Sequence, residues 1–467
     1  MTKKTRFIYL SFDILASLIV WVLLYLYRQY INDYAINDIL TLNILSNNYL
    51  LHSIFAFPLI SIPIHYLSGF YNTKNKRSRI VDLFTTTIAT MFISLAIYFT
   101  IFIDDIAADY TFYYKSFFIL WLAYFIVTYI FRIVQTTLII RRLRTRKTEY
   151  NQIIIGTGEC AKKVTLALQR KNKKNGSLLL GYISATDEVK IKPEMILGDL
   201  SQLEKIVVEK NIKDVVIAMD DMNNDTIYSI ANRLMKYDIE IRFSVRLFEV
   251  VTGKKIYLDF EEPIADITSS TMPAWQQSFK RTFDIIVSAT LITILSPLML
   301  YVALRVKRES KGNVFFRQKR VGVGGKEFNM YKFRTMYSDA EKLGPQLSSV
   351  DDNRITPFGK TMRKFRLDEI PQFWNILVGD MSIVGPRPER QFYIKQIEEI
   401  APYYCLVYSV QPGLFSWGPI KVGYCDTVDK MVERLRYDLI YINNMSILND
   451  IKILFYSIEI VLKGKGQ

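Results

Sequence analysis

The chain has 467 residues, too many for one hydrophobic core, so more than one domain is expected. Half of it is hydrophobic, with 30 tyrosines, 29 phenylalanines and a mean hydropathy of +0.13, values high for a water-soluble protein. The formal charge of +15 suits nucleic acid or an anionic membrane face, and the apolar runs decide between them.

Four such runs fill the first third, roughly Phe7–Tyr27, Tyr49–Phe70, Leu83–Ile103 and Phe117–Ile140. Each approaches the ~20 apolar residues that cross a bilayer. Lys3, Lys4 and Arg6 precede the first. Lys74, Lys76, Arg77 and Arg79 separate the second from the third, and Arg141, Arg142, Arg144, Arg146 and Lys147 follow the fourth. The other two connections carry Asp33, Asp38, Asp104, Asp105 and Asp109. This alternation places the N-terminus and everything after Arg141 in the cytoplasm. No small-residue cleavage site follows the first run, which reads as an anchor and not a signal peptide. Residues 1–146 are thus expected to be a four-helix transmembrane domain.

Residues 147–270 read differently. Gln152–Ile155 is a buried-strand pattern, followed by Gly156-Thr-Gly158-Glu-Cys-Ala161 and a helical stretch to Arg170. Leu178–Ser184, Asp214–Met219 and Ile239–Val245 read as further strands, alternating with helical patterns near Leu200–Lys210 and Thr226–Tyr237. That alternation predicts a doubly wound, Rossmann-like α/β domain. A dinucleotide-binding version needs an acid about 20 positions beyond the glycines. The first acid after the second strand, Asp187, comes late, so a tightly bound dinucleotide is not expected; a regulatory nucleotide or nucleotide-sugar stays open.

The third segment, 271–467, starts with a fifth apolar run, Ile285–Leu304. Lys280 and Arg281 stand before it, and Arg305, Lys307, Arg308 and Lys311 after it, so both ends belong on the cytoplasmic side. Ser296-Pro297 sits in its middle, where proline removes a backbone hydrogen bond and a serine hydroxyl can bond back to a carbonyl. A helix over about 279–305 that enters the membrane, bends at Ser296-Pro297 and returns is expected. Gly322-Val-Gly-Gly325 lies between β-like stretches Val314–Arg320 and Glu327–Arg334 and does not open a helix, so it reads as a hairpin turn and not a phosphate loop.

The densest signal is Phe365-Arg-Leu-Asp-Glu-Ile-Pro-Gln-Phe-Trp-Asn-Ile-Leu-Val-Gly-Asp-Met-Ser-Ile-Val-Gly-Pro-Arg-Pro388. Pro371 places Asp368 and Glu369 at or just outside a helix N-terminus, where phosphate is favoured. Two consecutive carboxylates face different ways and can do different jobs, one attacking phosphorus and the other holding a metal; a helix cap and a dipole-complementing acid are the plainer alternative. Arginine offers phosphate a planar fork and lysine a point charge. Lys332, Arg334, Arg363 and Arg387 are therefore the expected phosphate and nucleotide ligands, with Arg387 stiffened by flanking prolines, whereas Arg366 reads equally well as a solvated charge. The two histidines, His52 and His65, fall in the second apolar run, which excludes a Ser-His-Asp triad, a histidine base and histidine-based zinc sites in the rest of the chain. Cys160, Cys405 and Cys425 show no Cys-x-x-Cys spacing, and no disulfide is expected. No long basic or repetitive segment points to nucleic acid.

This stretch resembles the core of bacterial polyprenyl-phosphate glycosylphosphotransferases. The likeness extends in order through Gln318-Lys-Arg-Val-Gly322, Tyr331-Lys-Phe-Arg-Thr-Met336, Arg354-Ile-Thr-Pro-Phe-Gly359, Gln411-Pro-Gly413, Ser416-Trp417-Gly418 and Tyr437-Asp438, covering about Phe279 to Gly466. The resemblance implies a mainly helical, interfacial catalytic domain and the same re-entrant helix. It implies that Asp368 attacks a UDP-sugar, that Glu369 holds Mg²⁺, and that the phosphosugar passes to undecaprenyl phosphate with release of UMP. The implied partners are the UDP-sugar, undecaprenyl phosphate and the lipid bilayer, with no nucleic acid and a homodimer left open. The implied place is the bacterial inner membrane, at the first membrane step of exopolysaccharide, capsule or O-antigen synthesis. A UDP-releasing glycosyltransferase and a membrane-anchored nucleotide sensor are the alternatives. Pro419 stands where many relatives carry glutamine, so the sugar is not implied.

Overall fold

A computed structural model of the chain describes residues 3–31, 48–72, 79–101, 111–145, 151–175, 178–185, 189–220, 224–237, 239–244, 256–257, 264–266, 271–338, 340, 352–423, 425 and 427–462. The acidic connections near Asp33 and Asp104, the basic one around Lys74, and Asp187 lie outside them. The chain divides into two compact units, residues 1–142 with 273–279, and residues 143–272 with 280–467.

The first unit is built from α1 (Lys3–Ile31), α2 (Asn48–Leu67), α3 (Arg79–Ile101) and α4 (Thr111–Thr145). Arg6–Tyr27, Asp82–Thr100 and Tyr113–Leu138 are each long and apolar enough to cross a membrane, and α2 has a shorter apolar stretch, Ile54–Leu67. Their length and composition make the chain a membrane protein. Val20, Trp21, Leu24, Phe57, Ile93, Ile97, Leu120 and Tyr124 form the bundle core. Lipid tails are as apolar as these residues, so polar contacts contribute to holding the helices together. Arg132 of α4 is 1% exposed and lies 3.4 Å from the Phe70 ring centroid. It pairs with Asp13 of α1 at 3.6 Å and donates to His65 Nδ1 of α2 at 2.9 Å and Thr86 Oγ1 of α3 at 3.3 Å. The Tyr71 hydroxyl donates to Asp13 at 2.6 Å. One buried cation thus ties four helices together.

In the second unit, residues from 151 onward form a seven-stranded sheet in the order β3-β2-β1-β4-β5-β7-β6. Its strands are β1 (Asn151–Ile155), β2 (Leu178–Ser184), β3 (Ile196–Asp199), β4 (Ile212–Ile217), β5 (Glu240–Ser244), β6 (Ile256–Tyr257) and β7 (Ile264–Asp266). β1 to β5 are parallel, and β6 and β7 add an antiparallel edge. The helices are α5 (Glu159–Asn175), α6 (Leu203–Glu209) and α7 (Asn224–Met235). The predicted alternation is present. β3, β6 and β7 were not anticipated; at four, two and three residues they are too short for a period of two to show.

Apolar residues of the middle and C-terminal segments pack into one core cluster inside this unit. The Tyr228 and Tyr403 rings meet edge-on at 6.3 Å, and Asn232 Nδ2 donates to Pro402 O at 2.7 Å. The fifth apolar run lies in α8 (Ala274–Glu309), helical throughout with Pro297 inside it, and like the N-terminal helices it is long and apolar enough to cross a membrane. Ser296 Oγ donates to Thr293 O at 2.8 Å, the back-bond the sequence suggested. Gly322–Gly325 is indeed a turn, joining the antiparallel β8 (Phe315–Val321) and β9 (Glu327–Phe333).

Candidate active site

Asp368 and Glu369 sit between α9 (Pro357–Lys364) and α10 (Gln372–Val378), in a single 3-10 turn, Leu367–Glu369. Pro371 is the N-cap of α10, so the pair lies just outside the helix, as its proline predicted. Arg366 reverses the chain in the left-handed region, at φ 52° and ψ 27°. That conformation costs a non-glycine residue about 1–3 kcal/mol and persists where the surroundings enforce it. Here it turns both following carboxylates inward, each 8% exposed. Ile370 is the apolar anchor, packed with Met362, Phe333, Val302 and Val306. Leu295 and Leu298, which flank Ser296-Pro297, pack against the same cluster, so the proline segment of α8 lies along the floor of the site.

The two carboxylates have different surroundings. Lys332 of β9 pairs with Glu369 Oε1 at 2.9 Å, Arg387 reaches the same oxygen at 3.6 Å, and Arg366 reaches Oε2 at 3.2 Å. Burial works against the ionised form of Glu369, but Lys332, Arg387 and Arg366 together outweigh it and hold the carboxyl well below the usual range. Among the described residues, no ion pair engages the side chain of Asp368. Burial dominates and raises it from 3.8 to about 6; the neighbouring Glu369 charge adds to the rise, and Lys332 and Arg363 oppose it through space. Arg363 is itself steadied by Thr335 Oγ1 at 3.0 Å.

Asn375 fixes the distance between the dyad and Lys332. Fully buried on α10, it accepts from Tyr331 N at 3.0 Å and donates to Asn329 O at 2.7 Å, tying the helix to β9. Arg281 donates to Ile376 O and Leu377 O at 2.6 and 2.8 Å, and Lys280 donates to Val384 O and Asp450 Oδ2 at 2.8 and 2.6 Å. The two basic residues that precede the fifth apolar run therefore also hold the site.

Arg387 arrives on a second strut. β10 (Ser382–Val384) pairs in parallel with β11 (Gly413–Phe415). A Cβ on Gly413 would stand 2.0 Å from Gly385 N, so the close approach of the two backbones requires glycine there. Behind Pro386-Arg-Pro388, Glu389 is buried and paired with Arg320 at 3.1 Å and with Arg434. Burial opposes its charge, but Arg434, Arg320 and Arg387 prevail and keep its carboxyl low. Asp438, one turn along α13 (Val428–Asn443) from Arg434, is raised to about 7, chiefly by burial.

Asp368, Glu369, Lys332, Arg363 and Arg387 therefore converge. Arg334 does not join them. Its terminal nitrogens donate to Lys311 O at 3.1 Å, Ser310 O at 2.7 Å and Val306 O at 3.4 Å, so it closes the C-terminal end of α8 instead of meeting the expected phosphate. Arg366, read from sequence as no more than an even prospect, is in the site. Glu389, Arg320, Arg434 and Asn375 were not singled out; Glu389 directly follows Pro388, which was the available signal.

In the middle segment, the Asp220 carboxylate accepts from Glu159 N at 2.8 Å and Cys160 N at 2.7 Å. The N-terminus of α5, where a Rossmann fold seats a phosphate, is thus filled from within, across the β1/β4 switch point.

The profile of the family described as bacterial sugar transferase matches residues 275–464, and one described as CoA-binding domain matches residues 66–244. Among curated proteins, the chain is 38% identical over 222 residues to a UDP-N-acetylgalactosamine-undecaprenyl-phosphate N-acetylgalactosaminephosphotransferase of Aeromonas hydrophila, covering 47% of this chain and 52% of that one. It is 33% identical over 269 residues to a UDP-glucose:undecaprenyl-phosphate glucose-1-phosphate transferase of Klebsiella pneumoniae, covering 57% and 58%. A protein of the same description from Xanthomonas campestris pv. campestris is 30% identical over 337 residues, covering 70% and 69%. The matched region thus spans between half and three-fifths of the first two relatives.

Proposed function

The chain belongs to the bacterial sugar transferase family, and from that premise we propose that it moves a sugar-1-phosphate from a UDP-sugar to undecaprenyl phosphate, releasing UMP. The observation that carries this reading is the asymmetry of the dyad. Asp368 is buried, within electrostatic reach of Lys332 and Arg363, and without an ion pair among the described residues, while the adjacent Glu369 is held by three cations. A carboxylate left without an ion pair among phosphate-binding cations is suited to attack phosphorus.

An Asp368 oxygen attacks the β-phosphorus. The bond from that phosphorus to the bridging oxygen breaks, UMP departs with the oxygen, and the phosphosugar stays as an acyl phosphate on Asp368. An oxygen of undecaprenyl phosphate then attacks the same phosphorus, the bond to Asp368 breaks, and the free carboxylate returns. Lys332, Arg363 and Arg387 neutralise phosphate oxygens in both displacements.

Among the described residues no group of three acidic, histidine or cysteine side chains converges, so a closed protein cage for a metal is absent there. Mg²⁺ does not need one: it takes one or two carboxylates and completes its shell from phosphate and water. Glu369 would hold it once diphosphate oxygens draw Lys332 and Arg387 away, and the ion supplies charge neutralisation at the diphosphate.

The acceptor's phosphate lies at the headgroup level, so the site belongs at the membrane surface. Leu448, Ile451, Phe455 and Ile458 form one exposed stripe along α14 (Ile447–Leu462), and Trp374 and Val378 of α10 are exposed as well. These faces enter the interface, α8 dips into the same leaflet and returns at its Ser296-Pro297 bend, and the catalytic segment faces the cytoplasm of the bacterial inner membrane. The reaction starts an exopolysaccharide, capsule or O-antigen.

The test is the nucleotide released when purified enzyme, Mg²⁺ and undecaprenyl phosphate meet a panel of UDP-sugars. UMP is expected. UDP would mean transfer of the sugar alone and would overturn the mechanism.

A further inference from the structure

The chain stays helical from the dyad into α10. The 3-10 turn Leu367–Glu369 leads through Ile370 at φ −52° and ψ −40° and Pro371 at φ −61° and ψ −16° into Gln372. Glu369, Gln372 and Asn375 recur every three residues and so share one face. Both ends of that stripe meet β9. Glu369 pairs with Lys332 at 2.9 Å, and Asn375 accepts from Tyr331 N at 3.0 Å and donates to Asn329 O at 2.7 Å. Gln372 stands between them on the same face, four residues beyond Asp368, the spacing of helical neighbours.

Asn375 uses both ends of its amide, whereas Gln372 does not. Gln372 is 3% exposed, yet its Nε2 has no hydrogen-bond partner among the described residues. Arg366, on the other side of the dyad, gives Nη1 to Glu369 Oε2 at 3.2 Å and leaves its buried Nε without a partner as well. Buried polar groups are nearly always paired. Both unpaired atoms are donors, so a metal ion does not satisfy them and an oxygen acceptor does. A charged phosphoryl oxygen is the strongest such acceptor, and phosphorus is the atom that Asp368 attacks.

We infer that Gln372 Nε2, together with Arg366 Nε, donates to the phosphoryl oxygens of the sugar phosphate while that group is bonded to Asp368. Gln372 then touches the reacting group in both displacements. The inference rests on the phosphosugar-transfer reading. A neutral donor suits this position. A cation there would pair with Asp368 and blunt its attack, whereas an amide binds the phosphoryl oxygen and leaves the nucleophile unpaired.

The test is Gln372→Met in the full-length protein, which keeps the length of the side chain and removes the donor. The substrate is whichever of UDP-glucose and UDP-N-acetylgalactosamine wild type uses better. UMP release is expected to lose about 10²-fold in kcat/KM, the usual effect of removing one donor to a reacting oxyanion. Discharge of the trapped phosphosugar by undecaprenyl phosphate should slow as well, because the same oxygens are held. Stability separates this role from a structural one. Replacing an unpaired buried amide by an apolar chain should hold or raise Tm in detergent, so the variant is less active and no less stable. Activity lost together with Tm would assign Gln372 to the fold and overturn the inference. So would a kcat/KM within about twofold of wild type, or a discharge rate left unchanged. UMP release from neither sugar by wild type would instead sink the reaction on which the inference rests.

Discussion

Two buried clusters of charge, one in the helical bundle and one at the dyad, use the same residue types to opposite ends. Around Arg132, the cation meets Asp13, His65 and Thr86, and Tyr71 takes the other oxygen of Asp13. Such a set, each partner drawn from a different helix, contributes to holding the helices together. Around Glu369, three cations crowd one carboxylate and leave its neighbour Asp368 without an ion pair. Buried charge is structural when the partners close on one another, and available for chemistry when one member is left over.

The largest effect that sharpens this contrast is expected from Asp368→Asn, which keeps the shape and removes the nucleophile. UMP release should fall at least about 10⁴-fold; retention of wild-type turnover would reduce Asp368 to a capping role. Arg132→Leu should do the reverse. Leaving Asp13 buried and unpaired costs about 3–5 kcal/mol of bundle stability, read by thermal or denaturant unfolding in detergent. The kcat/KM of the surviving folded protein should hardly move. Glu389→Gln falls between these cases: it weakens the anchor behind Arg387 and should lower kcat/KM on the order of 10²-fold, the usual cost of a misplaced phosphate ligand.

A smaller effect concerns pH. Asp368 must be ionised to attack, and burial has raised it from 3.8 to about 6, so kcat/KM should climb with pH through about 6. The sign for stability is opposite. The folded state holds that proton more tightly than the unfolded chain, so stability is lost as pH rises from about 4 to 6. Asp368→Asn should therefore raise Tm relative to wild type at pH 7.5 and not at pH 4. The smallest effect is expected for Arg334→Lys. It loosens the end of α8 by roughly 1 kcal/mol, visible in Tm, with KM for the UDP-sugar unchanged. A large rise in that KM would return Arg334 to the phosphate site.

The dyad was legible because the information is local: two adjacent acids and a proline two residues on set the turn and the helix start. The parallel strands were legible through alternation with helices. Other features depend on atoms that sequence spacing does not bring together. Arg334 could not be separated from Lys332, two residues before it, until the end of α8 was seen to reach back to it. The network of Arg320, Glu389 and Arg434 joins residues 69 and 45 positions apart. Arg366 was undecidable because its role comes from a left-handed backbone, which no propensity assigns to arginine. The bend expected at Ser296-Pro297 falls within an unbroken helix, with the serine back-bond present.

The most direct test of the central claim, that Asp368 is the carboxylate left free to react, is to trap the intermediate. Enzyme is mixed with Mg²⁺ and a radiolabelled UDP-sugar in the absence of undecaprenyl phosphate, quenched, and mapped by peptide mass spectrometry. The account predicts a phosphosugar on Asp368, absent from Asp368→Asn and discharged when undecaprenyl phosphate is added. Label on another residue, or wild-type turnover with no protein-bound label at any time, would contradict it.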